Sequence, residues 1–410
     1  MSKVITFGCR LNAYESESIK KITRDLKNTI IVNTCSVTKE AERQAQQAIR
    51  KIYRQNPDAS IVVVGCAAQI HPDTYSKMQG VRKVLGNIEK LRLESYLTEE
   101  KVLVGDIASA KRNRVQLVSE FEGRARAFVE IQNGCNHRCT FCNIPYARGN
   151  NRSVPIDEII EQVKILVDRG YKEVVFTGVD ISDFGADLPG RPTLAQLVRR
   201  LLMLVPELPR LRLSSIDVAE IDQDLMNIIA TECRLMPHLH LSLQSGNNLI
   251  LKRMKRRHTR EQVLDFCLKI RSLRPEIALG ADVIAGFPTE TETMFMDSYN
   301  LIKELNIVYL HVFPYSIREE TPAARMPQVP NALKKDRVKK LLELCRQNKS
   351  SFYHSLIGSM QSIVVEKSDR GTAENFASVK LSQSAKIGSI LNVKILDADC
   401  DGLAAELHIA

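Results

Sequence analysis

The stretch Gly134-Cys135-Asn136-His137-Arg138-Cys139-Thr140-Phe141-Cys142 carries three thiols at C-x3-C-x2-C spacing. Three thiolates so close in sequence can close on one metal centre from a single loop, and three ligands leave a coordination position open. An iron–sulfur cluster held in this way keeps one iron free for a substrate or cosubstrate. Structural zinc is the competing reading. Zinc needs a fourth ligand, and His137, inside the same loop, is badly placed to complete that tetrahedron.

Three more cysteines occupy equivalent places. Cys9 follows Ile5-Thr6-Phe7-Gly8, Cys35 follows Ile31-Val32-Asn33-Thr34, and Cys66 follows Val62-Val63-Val64-Gly65. Separations of 26 and 31 residues match one βα unit each. In a parallel sheet this sets all three at the carboxyl edge, where α/β folds bind ligands. One alone would read as a buried, inert thiol. Three at the same offset from three strands predict convergence and a second cluster with a free iron. Cys233, Cys267, Cys345 and Cys400 share no such placement and are expected to be buried packing thiols.

The elements that must position these thiols follow from periodicity. Strands are expected at Val4–Phe7, Thr29–Asn33, Ile61–Val64 and Val81–Leu85, with helices at Tyr14–Leu26, Lys39–Arg54 and Pro72–Met78. Alternation of this kind implies parallel crossovers and an N-terminal doubly wound α/β domain over 1–110. A basic linker is expected at 111–126. Six further strand patterns (Ala127–Gln132, Glu173–Thr177, Leu211–Ser214, His238–Leu243, Leu279–Ile284, Val308–Val312) alternate with five helical ones. They suit a partial (β/α)6 barrel over 127–330, whose sites gather at the carboxyl ends of strands. Residues 331–355 read as a basic connecting helix. From 356 to 410 the pattern turns to period-two alternation, a small all-β module.

Composition bounds the rest. The 410 residues are 44% apolar and 26% charged, ordinary globular stock. The longest apolar run, Ile61–Ala68, is about eight residues, far below the roughly 20 that span a bilayer. The opening MSKVITFGCR has no basic-then-apolar leader, so a soluble cytoplasmic protein is expected. In a reducing cytosol, ten cysteines point to metal or catalysis rather than disulfides. Trp is absent and aromatics make up 5%, which argues against a large base-stacking surface, while the net charge of +10 suits a polyanionic partner.

Cys135-x3-Cys139-x-Phe141-Cys142 resembles the hallmark of radical S-adenosylmethionine (SAM) enzymes, including the aromatic before the third cysteine. With Gly8-Cys9-Arg10-Leu11-Asn12, Asn33-Thr34-Cys35-Ser36-Val37-Thr38 and Gly65-Cys66-Ala67, the chain is similar to the methylthiotransferases, and its tail around Gly371-Thr-Ala-Glu-Asn-Phe to their OB-like TRAM module. Ser214-Ser215-Ile216-Asp217, His238-Leu239-His240-Leu241-Ser242-Leu243-Gln244-Ser245-Gly246 and His311-Val312-Phe313-Pro314-Tyr315-Ser316 look like the threonylcarbamoyladenosine branch. Asn133 and Asn150-Asn151 depart from the acidic and basic residues expected there.

The resemblance implies two 4Fe-4S clusters, one on Cys135, Cys139 and Cys142 and an auxiliary one on Cys9, Cys35 and Cys66. It implies that SAM is cleaved to a 5′-deoxyadenosyl radical, and that carbon 2 of N6-threonylcarbamoyladenosine at position 37 of tRNA, just 3′ of the anticodon, is methylthiolated. Phe141 would lie against the adenine of SAM or serve as a packing residue. Gly178, Asp180, Ser214, Gln244 and Asp282 end barrel strands, where they would line the SAM site or cap helices, and Asp282 to Gly286 is similar to the radical family's glycine motif. The partners implied are the tRNA anticodon loop, an electron donor such as a flavodoxin or ferredoxin, and a sulfur source, for a monomer with no membrane attachment. Charge agrees in part: residues 1–110 carry 17 basic and 12 acidic groups, but 355–410 carry 5 and 7. Lys252–Arg257 is the densest basic run, and could track phosphates or be a solvated helix face. The alternatives are methylthiolation of isopentenyladenosine in tRNA or of a ribosomal protein, or a non-enzymatic zinc-dependent RNA-binding protein.

Overall fold

In the computed structural model, which describes residues 2–111 and 117–408, five parallel strands lie side by side in chain order. They are β1 (Lys3–Thr6), β2 (Thr29–Thr34), β3 (Ser60–Gly65), β4 (Val81–Leu85) and β5 (Val102–Leu103). Ile61 and Val63 face α2 (Lys39–Gln55) through Ile49 and Ile52, whereas Val62 and Val64 face Ile19 of α1 (Arg10–Ile22). A sheet covered on both faces needs strands apolar at every position, which is why β3 is a run of Ile and Val. Three short helices, α3 (Cys66–Ile70), α4 (Pro72–Ser76) and α5 (Leu93–Leu97), complete the layers.

The helix expected at Tyr14–Leu26 begins four residues earlier and also ends earlier. Gly8 leaves β1 at φ +95°, so Cys9 falls on the N-cap of α1, and the Thr23 hydroxyl donates to the Ile19 carbonyl (2.7 Å) where the helix stops. At β3 the chain turns at Gly65 (φ +97°) and enters α3 at Cys66 itself, a helix that periodicity missed. β5, two residues long, is too short to leave a periodic signal.

The chain then forms β6 (Arg126–Glu130), an antiparallel ribbon of β7 (Gln132–Asn133) and β8 (Arg152–Ser153), and the strands β9 (Glu173–Thr177), β10 (Arg210–Leu213), β11 (Ser215–Ile216), β12 (His238–Gln244), β13 (Ala278–Ala285) and β14 (Tyr309–Pro314). Two parallel sheets, β10-β9-β6 and β11-β12-β13-β14, meet where β10 runs into β11 and Leu211 bridges Leu235. The result is a six-stranded arc, a partial (β/α)6 barrel. Its helices are α6 (Ile144–Arg148), α7 (Ile156–Asp168), α8 (Leu194–Leu204), α9 (Gln223–Thr231), α10 (Asn248–Met254), α11 (Arg260–Leu273) and α12 (Glu292–Glu304). Capping boxes, Thr193 with Gln196 and Thr259 with Gln262, start α8 and α11.

Of the expected linker, residues 112–116 lie outside the described residues, and the remainder is anchored through the buried Val118, Phe121 and Ala125 while 122–124 stay exposed. Val118 and Phe121 join the barrel core, and the Gln162 side chain bonds the Val118 amide and carbonyl (2.7 and 2.6 Å). The long helix α13 (Asn331–His354) starts against the barrel through Leu341 and Leu344 and ends in the C-terminal core through Tyr353. Its charge is partly consumed inside, since Arg337 pairs with Glu290 (2.7 Å). Beyond it β15 (Met360–Lys367), β16 (Arg370–Ala373), β17 (Ser378–Leu381), β18 (Ile390–Ala398) and β19 (Leu403–Leu407) close into a small barrel. Closure removes exposed sheet edges. From its β16–β17 turn Phe376 stacks on His238 (4.5 Å between ring centres), with the guanidinium carbons of Arg10, Arg126 and Arg212 within 5.9 Å of its ring. Among the described residues no helix is long and apolar enough to cross a membrane.

Candidate active site: two cysteine trios across a shared contact

Because β1, β2 and β3 are adjacent, the residues that follow them emerge together. Cys9 caps α1, Cys35 follows β2 and Cys66 opens α3; Cys9 is exposed and the other two are buried. Burial, reinforced by the neighbouring Cys66 and Cys9 thiols, pushes Cys35 up to about 12. Gly8 is required beside them: a β-carbon there would lie 2.5 Å from Cys35 Cβ and 2.6 Å from its Sγ.

The second trio sits in the loop between β7 and α6. Gly134 (φ +72°) passes so close to Asn150 that a β-carbon would meet that carbonyl oxygen at 1.9 Å, and the Cys135 amide donates to the Gly149 carbonyl (3.0 Å). The middle of the loop is pinned from α10, where the Thr140 amide and hydroxyl donate to the carbonyls of Met254 (3.1 Å) and Arg253 (2.7 Å). Burial pushes Cys142 up to about 12 and, together with Asp180, raises Cys135. Buried thiols of this kind ionise readily only with a cation at hand, and all ten cysteines are free of disulfides. Each trio therefore fits a metal centre bound through thiolates, with the glycine clearances keeping the space open.

The trios face each other. Asn143, next to Cys142, donates its side-chain amide to the carbonyl of Ser36, next to Cys35 (3.2 Å). Arg148, at the end of α6, donates Nε–H to Cys66 Sγ (3.1 Å) and grips Glu15 of α1 with both terminal nitrogens (2.9 Å each). Lys90 pairs with the same carboxylate (2.7 Å). Burial opposes ionisation of Glu15, but Arg148 and Lys90 outweigh it and hold the carboxyl down at about 2. A cleft opens beside this seam, with Val37 and Thr38 on one wall and Phe141, Cys142, Gln244 and Asp282 on the other.

The other residues expected at the cofactor site are dispersed. Phe141, Gln244 and Asp282 share the cleft; Gln244 takes φ +65°, uncommon without glycine, at an irregularity that ends β12. Asp282 Oδ1 accepts from His240 Nε2 (2.9 Å) and faces His311 Nδ1 (3.1 Å). Asp180 approaches Cys135 Sγ (3.7 Å) and pairs with His137 (2.9 Å), which that bond and one to Glu220 raise to about 10. Gly178, Ser214 and Gly286 do not line the cleft. Gly178 lets the chain pass Gln132, Gly286 lets Lys334 of α13 approach, and Ser214 Oγ is buried without a partner among the described residues.

The expectation about cysteine is corrected, and the one about charge in part. Cys267 is buried and Cys345 half-buried, but Cys233 and Cys400 are exposed, because they lie in the turns after α9 and between β18 and β19. Within the basic run Lys252–Arg257, Lys252, Lys255 and Arg257 are exposed, and only Arg253 and Arg256 turn inward. Arg253 bonds Thr289 (2.7 Å), Arg256 bonds Asp217 (2.7 Å) and reaches Cys139 Sγ (3.9 Å), and Arg257 pairs with Glu220. Sequence reasoning missed Arg148, Glu15 and Arg256 as site residues. Only Asn12, within the Gly8–Asn12 motif, carried a signal for the seam; it accepts from Arg148 Nη2 (2.6 Å).

A curled six-strand arc with three cysteines in the loop after its first strand defines a radical SAM protein. Residues 129–302 match the radical SAM superfamily, and residues 2–86 match the uncharacterized protein family UPF0004. The radical SAM methyltransferase TsrM from Kitasatospora setae has a similar fold, with a TM-score of 0.54 at 15% identity over 77% of this chain and 67% of that one. The threonylcarbamoyladenosine tRNA methylthiotransferase MtaB of Rickettsia prowazekii is 53% identical over 96% of this chain and 94% of its own length. MtaB of Aquifex aeolicus is 38% identical over 95% and 98%, and a tRNA-2-methylthio-N(6)-dimethylallyladenosine synthase of Roseobacter denitrificans is 32% identical over 98% and 97%. The chain belongs to the threonylcarbamoyladenosine tRNA methylthiotransferase family. An iron–sulfur cluster and SAM are the cofactors of its chemistry.

Proposed function

We propose that this protein methylthiolates carbon 2 of N6-threonylcarbamoyladenosine at position 37 of tRNA, with one 4Fe-4S cluster on Cys135, Cys139 and Cys142 and an auxiliary one on Cys9, Cys35 and Cys66. The observation that carries this reading is the seam between the trios, where neighbours of Cys142 and Cys35 share a hydrogen bond beside an open cleft. Radical SAM cofactors, when bound, supply the one-electron chemistry that an unactivated aromatic C–H demands.

The chain's own residues do the positioning. Thr140 and Arg256 hold the loop of Cys135, Cys139 and Cys142 against α10 and Asp217. Phe141, Gln244 and Asp282 offer a ring, an amide and a carboxylate to SAM on the barrel wall, and Val37 and Thr38 close the cleft from the N-terminal sheet. An adenosine in a single-stranded loop is splayed outward at low cost, so its base can enter such a cleft. The threonylcarbamoyl substrate is favoured over the dimethylallyl one by 53% against 32% identity to the respective relatives. An electron donor of the flavodoxin or ferredoxin kind and a sulfur source complete the cycle, for a monomer acting in the cytoplasm.

Nucleoside mass spectrometry of tRNA from a deletion strain tests the substrate. Loss of 2-methylthio-N6-threonylcarbamoyladenosine, with its unthiolated precursor accumulating, is expected. An unchanged level of the thiolated nucleoside would refute it.

A further inference from the structure

Arg148 is the arginine on which the seam turns. It is 2% exposed, stands six residues after Cys142, and belongs by sequence to the loop-and-helix segment that carries the barrel trio. Its side chain points to the other trio. Nε donates to Cys66 Sγ (3.1 Å); Nη1 donates to Glu15 Oε1 (2.9 Å) and Asn133 Oδ1 (3.0 Å); Nη2 donates to Asn12 Oδ1 (2.6 Å) and Glu15 Oε2 (2.9 Å). All five N–H groups of the guanidinium are spent, one of them on sulfur. The bidentate grip on Glu15 fixes the plane of the fork, so the direction of Nε–H is not adjustable.

The charge pattern says why a sulfur is there. Glu15 lies between two buried cations, Arg148 and Lys90, and a second buried carboxyl, Glu130, stands near them and is disfavoured as an anion by its own burial and by Glu15. A surplus positive charge away from water is unfavourable unless something anionic accompanies it. The geometry supplies a sulfur, that of Cys66, which as a cluster ligand would be a thiolate, with Asn87 Nδ2 a weaker donor to it at 3.8 Å. Hydrogen bonds to ligand sulfur draw electron density away from iron and raise a cluster's reduction potential.

We propose that Arg148 is a positioning residue shared by both metal sites: carried on the segment of Cys135, Cys139 and Cys142, it donates to Cys66 and thereby raises the electron affinity of the auxiliary cluster. This rests on the two-cluster reading above. It ties the redox poise of the auxiliary site to the placement of the loop that holds the other cluster, because a shift of α6 lengthens the N–H···S bond.

The test uses the full chain with Cys135, Cys139 and Cys142 all changed to alanine, so that only Cys9, Cys35 and Cys66 can hold iron. After anaerobic reconstitution this parent should carry about four irons per chain. Absence of iron there would sink the two-cluster reading, whatever Arg148 does. With iron present, Arg148→Lys keeps the charge but loses the Nε donor and the fork. A redox titration followed by EPR should show reduction at least tenfold less favourable than in the parent, a downward shift of about 59 mV for one electron. An unchanged potential overturns the inference, since a merely structural arginine would not move it. Should the lysine variant fail to fold, the parent answers alone. Labelled with 15N-arginine and reduced, its cluster must show 15N coupling in pulsed EPR, and a spectrum without that coupling overturns the inference.

Discussion

Gly8→Ala should empty the auxiliary site while leaving the barrel intact. The perturbation is a single methyl group at a residue with φ +95°. Left-handed backbone costs a residue with a β-carbon about 1–2 kcal/mol. That carbon would also sit 2.5 Å from Cys35 Cβ, where carbon atoms are at ease only near 3.5–4.0 Å, so relief requires Cys35 to move by roughly 1 Å. Overpacking of this kind adds about 1–3 kcal/mol. Metal ligands tolerate only about 0.2 Å of error, so the displacement is decisive even though the local cost is survivable. The assay is iron and sulfide per chain after anaerobic reconstitution. The wild type should carry about eight irons and Gly8→Ala about four, with its circular dichroism unchanged. A variant that retained the full iron content would refute the claim that Cys35 is a ligand held in place by the bare backbone at Gly8.

Cys139→Ala should abolish all turnover, including SAM cleavage, whereas Cys35→Ala should still cleave SAM but form no methylthiolated product; chromatography of 5′-deoxyadenosine and nucleoside mass spectrometry read the two steps separately. Asp217→Asn leaves Arg256 and His258 without their carboxylate, and should destabilise the protein by about 3 kcal/mol in thermal melting. Burial opposes ionisation of Asp217, yet the His258 hydrogen bond and the Arg256 charge hold it down at about 2. Its folded value lies below the unfolded one, so it contributes about 2 kcal/mol that is fully present above pH ~4 and fades as pH falls through ~2; a melting series in acid should show a shallower slope in the asparagine variant. Phe376→Ala removes the ring that the C-terminal barrel sets on His238 and three arginines, at about 1–3 kcal/mol, and should make 356–410 separable by limited proteolysis at concentrations that leave the wild type whole.

Both trios were legible from spacing because each obeys a local rule. The loop of Cys135, Cys139 and Cys142 needs no tertiary knowledge, and the even placement of Cys9, Cys35 and Cys66 after three β-branched runs follows from the period of a parallel sheet. Helix limits were less legible. α1 begins at Arg10 because Gly8 turns the chain, and a single glycine leaves no periodic trace. Cys233 and Cys400 read as packing residues since cysteine is usually buried, but turns exposed them. Lys252–Arg257 read as a phosphate-binding or solvated face. Lys252, Lys255 and Arg257 do face solvent, but Asp217 and Glu220 of one segment and Thr289 of another hold its arginines.

The amino-acid sequence by itself determined the architecture, the two sets of three thiols and the kind of chemistry they serve, because these depend on residue type and short-range period. Only the tertiary structure decided that the sets face each other, that Arg148 of one segment touches Cys66 of another, and that Glu15 sits between two buried cations. Those are contacts between residues as many as 133 positions apart, and no local pattern encodes which distant charge will meet which sulfur when burial forces them to share the same dry space.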